Sequence, residues 1–171
     1  MTSRYLTIAG GLIHVVGPIT DDRWWSNLGV FASTTRLHNP RFELELRLEI
    51  NREVFRPIRS GESSIAYTRH DLEVHGEGST VWAWYDGEHA GFLAVLELAV
   101  FWAVHRMGGI MLHAAAGTID GLAMVMPGPS GTGKSTAARG GFERVLSDER
   151  IIISPDGRGH YDVWGTPFWS D

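Results

Sequence analysis

Leu122-Ala123-Met124-Val125-Met126-Pro127-Gly128-Pro129-Ser130-Gly131-Thr132-Gly133-Lys134-Ser135-Thr136 sets an apolar run, a glycine-rich bend and the start of a helix end to end. Gly128 to Ser135 fits G-x-x-x-x-G-K-[ST], and the order strand, bend, helix is the one this pattern needs to work. Glycines let successive backbone N–H groups turn inward around an anion where a Cβ would obstruct them. A helix opening near Ser135 adds the positive end of its dipole. In such a loop the Lys134 ammonium reaches the β- and γ-phosphates and the Ser135 hydroxyl ligates Mg²⁺, so Gly128 through Thr136 read as a site for Mg-ATP. A glycine-rich turn of no chemical consequence is the plain alternative. The chain holds 15 Lys and Arg residues in all, and Lys134 is the single lysine among them. A compact ammonium fits between phosphates where a planar guanidinium fits poorly.

Outward from the loop, Ile110 to Ile119 reads as a strand joined to Leu122–Met126 by an Asp120-Gly121 hairpin turn. Beyond it come a short helix from Ser135, broken at Gly140-Gly141, and the strand Arg144–Ser147. Ile151–Ile153 and Tyr161–Trp164 form a second hairpin. Upstream, Phe92, Val95, Leu96, Leu98, Ala99, Trp102 and Ala103 recur at helical spacing, predicting an inward-lying helix over 90–106. The first 85 or so residues are β-rich, with strands over Tyr5–Ala9, Leu12–Val16, the strictly alternating Phe42–Ile50, and Ser79–Tyr85. Polar, Arg-rich sequence with no helical stripe lies between the last two. The tryptophans, Trp24-Trp25 and Trp82/Trp84 among them, read as packing anchors rather than a base-stacking platform.

Phosphoryl transfer from such a loop needs a carboxylate for the metal and a group to take the acceptor's proton. Asp148 closes an apolar strand after the loop, with Glu149 beside it. Adjacent strand residues point to opposite faces, so one of the two faces the nucleotide, and Asp148 is favoured. An ordinary solvated acidic turn is the competing account. His113 lies in the strand hairpin-paired with the one feeding the loop, within conceivable reach of a γ-phosphate. A lone histidine in an apolar strand is more commonly structural. The other histidines show no metal-ligand spacing, and His70 and His75 flank a strand-like piece as surface residues.

Composition narrows the field. A net charge of −5 offers no basic excess for nucleic acid. With no cysteine there are neither disulfides nor thiolate metal sites. No apolar run reaches membrane-spanning length, the longest, Phe92–Val104, being interrupted by Glu97, and Met1–Tyr5 lacks a signal-peptide layout. The expected setting is the cytoplasm, with no membrane partner. Oligomeric state stays open, a homo-oligomer included.

Over about 107–171, Leu112-His113-Ala114, the Asp120-Gly121 hairpin, the loop Gly128–Ser135 and Leu146-Ser147-Asp148-Glu149-Arg150 resemble the HPr kinase/phosphorylase family. The likeness is nearest to its shorter branch, which includes kinases found beside peptide-modification genes. The resemblance implies an α/β P-loop kinase core with a mixed sheet, shared with phosphoenolpyruvate carboxykinase, over 89–171, preceded by a β-rich region over 1–88. It implies a proton-handling couple of His113 and Asp148, with Glu149 in place of a second Asp and Ser135, Asp148 and Glu149 around the metal. The implied activity is transfer of the γ-phosphoryl group of Mg-ATP to a serine hydroxyl of a small protein or peptide. Against that family the chain stops soon after Asp148, at Gly165-Thr166-Pro167-Phe168-Trp169-Ser170-Asp171, so the resemblance implies an incomplete core. A nucleotide-binding module without catalysis and a kinase for a small-metabolite hydroxyl are the alternatives.

Overall fold

A computed structural model of the chain describes residues 3–33, 37–51 and 64–168. Met1 and Thr2 at one end, Trp169-Ser170-Asp171 at the other, and the arginines at 52, 56 and 59 lie outside the described residues. The chain divides into two compact units, Met1–Ala103 and Val104–Asp171. It is an α/β protein built mostly of strands, with one mixed and one antiparallel sheet.

The first unit carries strands β1 (Ser3–Ile8), β2 (Gly11–Val16), β3 (Ala32–Ser33), β4 (Glu43–Ile50), β5 (Ser64–Arg69), β6 (Leu72–Glu77) and β7 (Thr80–Tyr85). They form one sheet in the order β3-β1-β2-β4-β7-β6-β5. β2, β4 and β7 run parallel and the other neighbours antiparallel. Alternation in β4 puts Leu44, Leu46 and Leu48 on one face, where register aligns Ile13 with Leu44 and runs Val15–Leu46–Val81 across three strands. All of these side chains are buried. The short helix α1 (Asp22–Ser26) starts from Asp21, whose carboxylate accepts from the Arg23 amide at 2.8 Å. The helix α2 (His89–Arg106) begins in this unit and buries Phe92, Val95, Leu96, Ala99 and Val100. Phe92 meets Tyr85 at 6.3 Å and Trp24 at 5.7 Å between ring centroids, and the Trp102 indole N–H donates to the Gly78 carbonyl. Phe101 alone leaves this helix as an exposed large apolar side chain.

Two sequence expectations change here. The stretch after β4 is not only polar connection, because its second part forms the β5–β6 hairpin on the sheet's edge. Its short strands carry few large apolar residues, which hides their period. His75 sits inside β6 against Glu73 and the edge of Trp84, and only His70 lies in the flanking turn.

In the second unit β8 (Ile110–Ile119) is central. It pairs with β9 (Leu122–Pro127) through a turn in which both Asp120 and Gly121 have positive φ, the mirror-image hairpin geometry. β10 (Arg144–Ser147) and β11 (Arg150–Pro155) follow one another along β8, their register falling from Thr118 to Ile110, and β12 (Tyr161–Gly165) pairs with β11. Every pairing in this sheet is antiparallel. Its core is small: Ala114, Ala116 and Ile151 with Leu112, Val125, Leu146, Ile153 and Val163. The helix α3 (Lys134–Gly141) packs on β8 and ends at the Gly140-Gly141 pair. Buried Ala138 anchors it and the Phe142 amide closes it on the Ala138 carbonyl.

Candidate functional site

The loop between β9 and α3 holds Gly131 at φ 82° and Gly133 at φ 84°, a region that side chains with a Cβ rarely adopt. Gly133 is the helix N-cap and offers no side-chain acceptor to the first turn. The first helical bond comes from the Ala137 amide to the Gly133 carbonyl, so the amides of Lys134, Ser135 and Thr136 stand ahead of the helical ladder. The Thr132 hydroxyl donates to the Pro129 carbonyl at 2.9 Å and tightens the bend. A Cβ on Gly128 would sit 3.1 Å from that hydroxyl.

Lys134 folds back across the loop. Its ammonium donates to the carbonyls of Gly128 (2.8 Å) and Pro129 (2.9 Å) and meets His113 Nε2 at 3.2 Å. Both ring nitrogens of His113 thus face a cation, the Lys134 ammonium at Nε2 and the Arg150 guanidinium at Nδ1. Glu149 Oε1 lies 3.0 Å from Nδ1. The same carboxylate oxygen accepts from Arg150 Nη1 at 2.9 Å, and Arg150 Nη1 also lies against Nδ1.

Register explains why these groups meet. His113 lies directly opposite Arg150 across β8 and β11, and the Ala114 amide donates to the Glu149 carbonyl. Between Val145 and Ser147 the β10 pairing shifts by one residue, a bulge that re-aims the side chains downstream of it. Past the bulge Ser147 and Asp148 are buried, whereas the Glu149 side chain keeps 30% exposure and faces His113. The Thr166 hydroxyl fixes the next residue by donating to the Arg150 carbonyl at 2.7 Å.

The structure thus brings Lys134, His113 and Glu149 together with the loop Gly128–Thr136. Asp148, 4% exposed, is not in that group. Its Oδ2 lies 3.8 Å from Arg139 Nη2, on the turn of α3 that follows Ser135. Arg150 is the member that sequence reasoning left without a role. The signal for it lay in the antiparallel pairing of β8 with β11, which no motif encodes. Among the described residues no group of three or more His, Cys, Asp or Glu side chains converges on a metal position. Among them, too, no helix is long and apolar enough to cross a membrane.

Residues 92–171 match the family model described as SynChlorMet cassette protein ScmC. The matched span takes in most of α2 and every element from β8 to β12. No curated protein and no solved structure gives a significant match. The family match corrects the HPr kinase/phosphorylase resemblance, since the matching family is ScmC and not an HPr kinase family. The reason is physical: a strand, a glycine bend, a helix and an acidic pair are what phosphate chemistry asks of many proteins. Such short motifs do not separate one family from another.

Proposed function

We propose that this chain binds Mg-ATP at the loop Gly128–Thr136, as a P-loop kinase core, and transfers its γ-phosphoryl group to a serine hydroxyl of a peptide or small protein. The observation that carries the reading is the convergence of the only lysine with His113, Glu149 and Arg150 at the start of α3. Two cations and the leading amides of α3 supply the positive field a triphosphate needs. The glycine loop suits the group as well, because Gly131 and Gly133 hold left-handed backbone conformations of the kind anion-binding loops use.

Each residue takes a distinct part. Lys134 and Arg150 neutralise charge on the transferring group. Glu149 lies against Nδ1 of His113 and orients the ring, and this pair takes the acceptor's hydroxyl proton. Ser135 and Asp148 would hold Mg²⁺: Asp148 approaches Arg139, one helical turn from Ser135 on the same face of α3. Magnesium in nucleotide sites rests on one or two protein oxygens with phosphate and water completing the shell, so a sparse ligand set suits it. Bound there, the metal would supply Lewis-acid charge neutralisation.

Calorimetric titration with Mg-ATP, then incubation with γ-labelled ATP and serine peptides, tests the reading. Label on serine supports it. Tight binding without transfer would leave a nucleotide-binding module, label on a small alcohol would move the acceptor class, and no heat of binding would end the assignment.

A further inference from the structure

The solvent-facing side of the seven-stranded sheet holds a cleft of about 1120 Å³ that the nucleotide reading does not use. Its floor is set by register. Glu45, Arg47 and Glu49 of β4 lie opposite Thr80, Trp82 and Trp84 of β7, and Val16 of β2 lies opposite Arg47. Odd-numbered residues of β4 therefore share this face with the two indoles, while the leucines point to the core. Gly17 and Pro18 form one wall. The Trp84 indole N–H donates to Glu49 Oε2 at 2.7 Å, which fixes the ring's angle beside the carboxylate. Arg47 is tied to Glu45.

Carboxylates outnumber cations on this face, which also carries His14 and His75. Continuing the register, Glu43, Glu73 and Glu77 lie on the same side as Glu45 and Glu49, and among the described residues of these strands Arg47 is the one guanidinium there. Aromatic faces and carboxylates together favour a cation: the ring quadrupole attracts it over the indole and the carboxylates pair with it at the rim. The cleft is also larger than the roughly 300–1,000 Å³ typical of small-ligand sites, and it crosses strands. From Glu45 to Glu49 the strand rise gives about 13 Å, room for an extended segment of about four residues.

We infer that this aromatic, acidic cleft binds an extended peptide segment bearing Arg or Lys. Alternate side chains of such a segment set their cationic ends between Glu45, Glu49 and the faces of Trp82 and Trp84. The site lies wholly within Met1–Ala103 and does not depend on the nucleotide reading.

The test titrates the full chain, without nucleotide, with a capped hexapeptide of alternating arginine and leucine, read out by calorimetry and indole fluorescence. Saturable binding is expected, weakening as salt rises from roughly 50 to roughly 500 mM because rim charges are screened. E45Q/E49Q keeps the acceptor for the Trp84 N–H while removing both charges, and should weaken binding by about tenfold. W82F/W84F should weaken it too, and if that variant unfolds the Gln pair carries the test. No saturable binding, equal binding of the alternating glutamate–leucine hexapeptide, or unchanged affinity in E45Q/E49Q would each overturn the assignment.

Discussion

The Lys134 ammonium donates to two carbonyls of its own loop and lies against His113, so it pins the bend and marks where an anion's charge is met. Lys134→Ala should raise the Mg-ATP dissociation constant on the order of 100-fold by calorimetry, the loss of a charge-assisted contact to phosphate. Lys134→Arg should not rescue it, because the guanidinium is too broad for the same position. Glu149 and Asp148, adjacent in sequence, should separate in kinetics. Glu149→Gln is expected to lower transfer by roughly 10²-fold, the lower end for lost proton handling, with nucleotide affinity nearly unchanged. Asp148→Asn should instead raise the Mg²⁺ concentration needed for half-maximal activity by about tenfold, as expected on loss of a charged metal ligand. Equal effects of the two on the Mg²⁺ requirement would sink this division of labour.

Elements position those residues, and the critical one is the irregular β10–β11 edge. Gly165 at the end of β12 lets the Leu146 carbonyl approach so closely that an added Cβ would sit 2.1 Å from it. Gly165→Ala must push that bulge away, at a cost of about 1–3 kcal/mol of overpacking, and should weaken transfer as well as lower the midpoint of chemical denaturation. Loss of stability alone, with transfer intact, would show that the bulge does not aim Glu149. In the other sheet the β5–β6 turn is held by Asp71, 9% exposed, paired with Arg69, whose hydrogen bond keeps the Asp71 carboxyl below the usual carboxylate range. A depressed carboxylate contributes stability above its unfolded value, near 3.9, and loses it as pH falls through the folded value. Asp71→Asn should therefore cost about 1 kcal/mol at neutral pH, a modest figure because Arg69 is 38% exposed, and the gap from the parent chain should shrink as pH falls below the unfolded value and through the folded one.

At the scale of the molecule, the proposed nucleotide site lies within Val104–Asp171 and the acidic, aromatic cleft within Met1–Ala103. Hydrogen exchange should read them separately. Mg-ATP is expected to protect amides over 128–137 and around 147–150 while leaving β4 and β7 unchanged. A ligand at about 100 times its dissociation constant adds about 2.7 kcal/mol of stability to what it binds, enough to see as slowed exchange. Protection spread evenly over both sheets would argue against a site confined to the loop.

The sequence alone determined the elements whose periods are strong: the alternation of β4, the long apolar stripe of α2, the Asp120-Gly121 hairpin and the glycine loop feeding α3. Each is a local property, readable from spacing and turn chemistry. Weakly apolar β5 and β6 stayed hidden because their pairing, not their composition, makes them strands. Which acidic residue faces His113, and that Arg150 joins it, was decided only by tertiary structure. A one-residue bulge at Val145–Ser147 reverses which side chains look toward the loop, and strand register is set by partners far away in the chain.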